Sequence, residues 1–468
     1  FMGLVAMATT ALAQKVNTSD DRADTLKVTV SGEIDLDGIF RDGELIDALG
    51  GEGSTGDEDE FTVEGYVRVR LDIALSEKIN AVISLRNQRV EGGSTEQIGD
   101  NSEETGVLVD EASITLNECL DPAIKVSVGI VPVAFDLRGR GSAFFFDPAH
   151  SNVITKNVGA GSGSTVIGAE DELQPTGAHV VYSRESLSAG VALLPAIVEG
   201  GPAGSDEAAY AAWFMYGLDN LGKGSRAGAI VAVSSFAGKE TSVITVGGGL
   251  DWKEALTPGL ELYAEVYFQF GDAGPVTVSG AAETADAGGL AFQVGGEYHF
   301  PDNANNIWVG VNVTMISGDD DSADGDNDNY LSYENVNDLK ILEDQWYGFD
   351  LDTNYFAIKV SGGAAMTVGS GAMKNNLEIS AIVGICALSE EVLGTNGAFS
   401  EGLFAGATNT GEDKIGNEVD VNVRLLVSKQ VVLDAGIGML FGSDLLEDTG
   451  TSDESNVFLG SVGANVKF

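Results

Sequence analysis

Cysteine, histidine, basic residues and long apolar runs are all scarce in this chain of 468 residues, and each scarcity closes off a class of protein. The two cysteines, Cys119 and Cys386, have neither the spacing of a metal motif nor the number that a disulfide framework needs. The three histidines, His150, His179 and His299, show no metal-binding spacing either. No glycine-rich phosphate loop follows a strand and opens a helix, so the chain reads as something other than an enzyme. Past the first residues no apolar run reaches the roughly 18 needed for a helical membrane span. Against 72 acidic residues stand only 25 basic ones, a net charge of −47, which argues against nucleic acid or an anionic membrane surface as partner and favours cations. Solubility in a salty or calcium-rich medium is the plainer account of that acidity.

What is present is a repeated pattern. Residues 1–13 (FMGLVAMATTALA) end in a small-x-small triplet before Gln14, and the expectation is the remnant of a secretory signal peptide. A short segment, 14–25, would follow it, and residues 26–468 would form one domain. From Lys27 onward, stretches of ten to fourteen residues carry apolar side chains at every second position and then give way to a turn, the signature of half-buried strands. In 26–41, Val28, Val30, Ile34, Leu36 and Phe40 oppose Thr29, Ser31, Glu33, Asp35 and Asp37. In 61–73, Phe61, Val63, Val67, Val69, Leu71 and Ile73 oppose Glu64, Tyr66, Arg68, Arg70 and Asp72. Between 186 and 237 both faces are apolar or small, and the outward side cannot be assigned from the pattern.

About eighteen such segments can be counted, with sixteen the nearest alternative if the weak middle ones merge. The connectors sort by parity. After even-numbered segments they are short, as at 75–77, 183–185, 301–305 and 428–429; after most odd-numbered ones they are long and acidic, as at 42–60, 91–106, 134–173, 318–352, 389–415 and 443–455. The expected fold is therefore all-β: a closed transmembrane antiparallel barrel with short periplasmic turns and long acidic extracellular loops. A soluble sandwich has no reason to sort its loops in this way, and a calcium-binding solenoid would show a fixed short repeat. In hydrocarbon an unpaired backbone amide is costly, so strands cross a bilayer only when the sheet closes.

The last segment, 456–468 (NVFLGSVGANVKF), alternates Phe458, Gly460, Val462, Ala464 and Val466 and ends on Phe468. It resembles the terminal strand of Gram-negative outer-membrane proteins of the porin superfamily, and that resemblance implies that Phe468 is read by the barrel-assembly machinery. Less specifically, 126–148 (VSVGIVPVAFDLRGRGSAFFFDP) is similar to a strand and loop of the phosphate-selective and alginate-export porins. This second likeness implies no substrate.

An eighteen-stranded barrel tilted about 40° has a backbone radius on the order of 18 Å, too wide for side chains to fill. The loop 134–173 is the expected inward-folded constriction, carrying Asp136, Arg138 and Arg140 toward the wall residues Arg68, Arg70, Arg86 and Lys125. An ordinary outer loop or a partner-contact loop is the alternative; if the arginines pair with Asp136 and Asp147 instead of facing the lumen, the acidic walls decide the ion preference. Acidic lumen residues are Glu33, Asp35, Asp37, Glu64, Asp72, Glu261, Glu265, Glu297 and Asp420, and cross-strand ion pairs with the basic set are expected among them. In loop 318–352, Asp324, Asp326 and Asp328 place carboxylates at every second residue, as a calcium site would, although Asn329 and Asn335 stand where an EF-hand needs Gly and Glu. A solvated acidic loop is the other reading.

The function expected from these features is passive diffusion of ions and small hydrophilic solutes across the outer membrane, weakly selective for cations. The alternative is a structural or adhesive barrel whose acidic loops bind divalent cations or a surface-layer partner. A homotrimer would use a broad apolar outer face, for which 186–237 is the candidate. A sheath around a haem-bearing partner is a third possibility, with no haem motif in the chain itself.

Overall fold

A computed structural model describes residues 26–42, 59–87, 107–130, 176–196, 207–236, 241–278, 281–301, 303–319, 326–330, 338–343, 351, 354–369, 375–390, 413–443, 445 and 456–468. Residues 1–25 and loop 134–173, with Asp136, Arg138 and Arg140, lie outside the described residues, as does Asp324.

The described strands form a single 20-stranded sheet. In chain order they are β1 (Lys27–Asp42), β2 (Asp59–Ala74), β3 (Ile79–Asn87), β4 (Val107–Asn117), β5 (Ile124–Ile130), β6 (Thr176–Arg184), β7 (Leu187–Ala196), β8 (Glu207–Gly217), β9 (Arg226–Phe236) and β10 (Thr241–Trp252). There follow β11 (Leu260–Val278), β12 (Ala281–Ala287), β13 (Leu290–His299), β14 (Trp308–Ile316), β15 (Asp326–Asn327), β16 (Tyr355–Val368), β17 (Asn375–Ala387), β18 (Lys414–Leu426), β19 (Val431–Gly442) and β20 (Asn456–Lys467). Each wall strand is antiparallel to the next, and β20 pairs with β1 from Glu33 opposite Lys467 to Asp42 opposite Phe458, which closes the barrel. Two strands stand apart from the wall. The second half of β11 forms a hairpin with β12 beyond the rim, and β15 adds to β12 as a parallel pair. Eighteen strands remain in the wall, as the alternation predicts.

Side-chain direction follows the period-two rule. Phe61, Val63, Val67, Val128, Val231, Val266, Phe268, Val360, Ile385 and Ile437 are exposed on the outer face. Glu111, Glu265, Gln293, Lys359, Glu418 and Asp420 point the other way and are buried. Apolar outside and polar inside is the inversion that a lipid-facing barrel requires. The weak middle segments also resolve: Val191, Leu193, Tyr210, Phe214, Tyr216 and Val231 face out, whereas Ala192, Ala211, Trp213, Ile230, Ala232 and Val243 face in and are buried.

The seam has its own lock. The Phe468 amide and carbonyl exchange hydrogen bonds with those of Gly32, each at 2.9 Å. The Phe468 ring lies over Gly32, where a Cβ would collide with it. An aromatic ring covering a strand glycine in this way fixes register between neighbours.

Candidate functional site: the inner wall and the turn docked on it

The connection from β14 to β16 does not stay outside. It first runs along the rim as β15, where Asp326 pairs with Asp286, which itself pairs with Asp272 of β11. It then enters the barrel, and Asp338–Glu343 forms a turn against the inner faces of β16 to β20. The reason lies in a match between that turn and the wall. Glu418 of β18 accepts from the backbone N–H groups of Ile341 at 2.6 Å and Leu342 at 2.9 Å, and Asp420 accepts from that of Lys340 at 3.0 Å. Within the turn, Glu343 accepts from the N–H groups of Asp338 and Leu339 at 2.9 and 3.0 Å. Its other oxygen lies 2.9 Å from the Lys359 ammonium of β16, which also meets Asp338 at 2.7 Å.

Glu343, Glu418 and Asp420 are wholly buried, so these backbone donors are satisfied by carboxyl acceptors out of water, where such bonds are strongest. Apolar contact completes the seat. Leu339, Ile341 and Leu342 are buried, and wall glycines make room for them. A Cβ at Gly384 would meet Leu339 at 2.7 Å, and one at Gly438 would meet Ile341 and Lys340 at 3.3 Å. Counted from the long-loop ends of β16 and β18, Lys359, Glu418 and Asp420 lie four to six residues down the wall. At about 3.3 Å per residue that is roughly 13 to 20 Å of strand, so the turn narrows the bore well inside the rim.

The expected basic set is only partly brought together. Arg68 and Arg86 are cross-strand partners on β2 and β3, and Arg70 lies two residues below Arg68. All three are engaged with acids or neighbours on the wall. Arg70 bonds Glu111 at 2.6 Å and Asp72 at 3.1 Å, and Arg68 meets Glu33 at 3.5 Å while lying over the Tyr66 ring. Arg86 is almost fully buried. Lys125 sits one residue from the short-turn end of β5, at the opposite mouth from the long loops.

The acidic set divides into two groups. Glu33 and Asp35 share the side-chain amide of Asn465, at 2.6 and 3.3 Å, with Lys467 also 3.5 Å from Glu33. Asp37 stands further up β1, opposite Glu64 on one side and Gly463 on the other. Glu261 and Glu297 face each other across β11 and β13 near the short-turn rim, where Lys253 pairs with Asp251 and Glu261. Glu265, deeper in the wall, accepts from the Tyr267 hydroxyl at 2.9 Å. Asp326 and Asp328 are exposed at the outer rim, and among the described residues no group of three or more His, Cys, Asp or Glu side chains has the geometry of a metal site. Cys119 and Cys386 are free, the first in the turn before β5 and the second buried on β17.

No family model and no curated protein sequence matches the chain. Solved structures do. OccAB1 of Acinetobacter baumannii superposes with a TM-score of 0.53 over 94% of this chain and 96% of its own, at 10% identity. The fold is a porin fold. OccAB4 of the same organism (TM-score 0.48, 11% identity, 96% of this chain and 100% of that one) and OccK11 of Pseudomonas aeruginosa (0.49, 10%, 94% and 96%) also match. At these identities the likeness speaks to architecture alone.

Sequence reasoning missed Glu418, Lys359, Lys340 and Glu343. The available signal was the island Leu339, Ile341 and Leu342 inside an otherwise acidic loop, which alternation counting passes over because it is not a strand.

Proposed function

We propose that this chain forms a water-filled diffusion channel of the outer membrane for ions and small hydrophilic solutes, weakly selective for cations. The observation that carries this reading is the closed wall with an apolar exterior and a charged interior, narrowed part-way down by the turn 338–343. A bore lined by charge and narrowed by one docked segment is how pores select among solutes. Support for a cation preference comes from the accessible inner carboxylates Asp35 and Asp37 of β1 and Asp434 of β19. The basic side chains Arg68 and Arg70 are already matched by Glu33, Glu111 and Asp72. The test is conductance of the purified protein in planar bilayers: discrete ion-conducting steps support the reading, and a silent barrel refutes it.

The rim supports a second reading, a barrel whose outer acids bind divalent cations or a surface partner. Its basis is the rank Asp272, Asp286 and Asp326, on three neighbouring strands. Calcium-dependent partner binding by a non-conducting barrel would favour it over the channel.

Phe468 is assigned the role of assembly signal, supported by its place on the closing seam over Gly32. Deleting it should lower the yield of folded barrel in cells while leaving whatever folds unchanged in conductance. Normal assembly of the deletion would remove that role.

A further inference from the structure

Three basic side chains belong to the docked turn and the wall beneath it: Lys340, Lys359 and Arg424. Their charges are not equally available to a passing ion. Lys359 is buried and held between Glu343 and Asp338. Arg424 lies in register between Glu378 on β17 and Asp434 on β19, so a carboxylate flanks it on each side. Lys340 differs from both. It rides on the turn itself, partly exposed, and its ammonium donates to the neutral hydroxyl of Ser461 on β20 at 3.3 Å.

The site into which Lys340 reaches is acidic and open. Asp434 and Asp37 stand on either side of Gly463, opposite it on β19 and β1. A Cβ at Gly463 would meet an oxygen of each carboxylate at 2.6 Å, so the two face each other across a glycine with no side chain between them. The Lys340 ammonium sits over Gly436, two residues from Asp434, within 2.6 Å of where a Cβ would be, and it acts electrostatically on Asp434 together with Arg424 and Asp37. Asp420 fixes the Lys340 backbone and Ser461 receives its ammonium, so the wall holds in place a charge that the loop supplies. A charge carried in on a loop and set beside an acid pair offsets it without a strand residue.

We infer that Lys340 is the residue that sets the charge preference of the channel, holding back the cation selectivity that Asp37 of β1 and Asp434 of β19 would otherwise impose. This rests on the channel reading above. Charge at a constriction outweighs charge at the mouth, because salt at about 0.15 M screens the outer-loop acids beyond roughly 8 Å. The same length leaves Lys340 and the Asp37–Asp434 pair within reach of one another.

The experiment is the reversal potential of the full chain in planar bilayers under a potassium chloride gradient. Lys340→Gln should raise the cation-over-anion permeability ratio by about two-fold or more, with Lys340→Arg close to the parent and Asp434→Asn shifted the other way. An unchanged ratio in Lys340→Gln, at parental conductance, overturns the inference. If Lys340→Gln changes conductance as well, the turn has moved, and Lys340→Glu compared with Lys340→Gln decides: a further rise in the ratio upholds the inference and no change overturns it. Absence of channels in the parent protein instead overturns the channel reading, and the inference with it.

Discussion

The inner faces of β7–β10 and of β16–β20 belong to one barrel yet solve the problem of a wide interior in opposite ways. Over β7–β10 the inward positions Gly190, Ala192, Ala211, Trp213, Ile230, Ala232 and Val243 are small or apolar and closely covered, with the Trp213 ring tilted against His179 at 5.0 Å, and Thr245 and Asp251 of β10 are buried among the inward polar groups. Over β16–β20 the inward groups beneath the turn include Lys359, Glu418, Asp420, Asp434 and a set of glycines, and the turn is seated on them by hydrogen bonds and by Leu339, Ile341 and Leu342. The first wall resembles a protein core, and the second is a charged berth. The difference teaches that a porin interior need not be uniformly polar: what matters is that each inward group meets a partner of its own kind.

The largest effect should come from breaking the berth at its buried charge. Lys359→Ala leaves Glu343 buried without its cation, and removing one member of a buried pair costs about 3–5 kcal/mol. The expected outcome is a lower urea midpoint together with raised single-channel conductance as the turn loosens. A substitution on the other wall tests the opposite property. Ala232→Asp places a carboxylate between its buried cross-strand partners Ala211 and Thr245, where no cation is in register to pair with it, and folded barrel should fall sharply. Asn422→Asp, on the charged wall, should fold like the parent. Equal yields of the two would erase the contrast between the walls.

A smaller effect is expected from Gly384→Val, which intrudes on Leu339 without removing any hydrogen bond. Overpacking of this kind typically costs about 1–3 kcal/mol, and the turn should sit higher, seen as a modest rise in conductance. The smallest belongs to Arg68→Gln. Its pair with Glu33 is long at 3.5 Å and partly exposed, and Glu33 keeps Asn465 and Lys467, so the change in urea midpoint should correspond to less than about 1 kcal/mol.

These contrasts also show what the sequence could and could not disclose. Strands such as β1, β2 and β11 were legible because a charged inner face alternates with an apolar outer one, and β20 because its outer residues alternate up to Phe468; their observed bounds lie within a few residues of those expected, apart from the hairpin arm of β11. Loop parity made the closed topology legible as well. The orientation of β7–β9 was not, because alanine and valine serve on both faces there and period two has no contrast to report. The docked turn was hidden for a different reason. Its partners, Glu418 and Asp420, lie nearly eighty residues further along the chain, and only the folded wall brings Gly384, Gly436 and Gly438 under Leu339, Lys340 and Ile341. Periodicity reads local structure, whereas this contact is a matter of long-range fit.

Whether residues 338–343 narrow a conducting barrel is decided by comparing single-channel conductance of the full chain with that of a variant in which those six residues are replaced by glycine and serine. The replacement keeps loop length and removes Leu339, Ile341, Leu342 and Glu343, the groups that seat the turn. Discrete channels are expected in both, with conductance clearly higher in the variant. Equal conductance in the two proteins would contradict that narrowing.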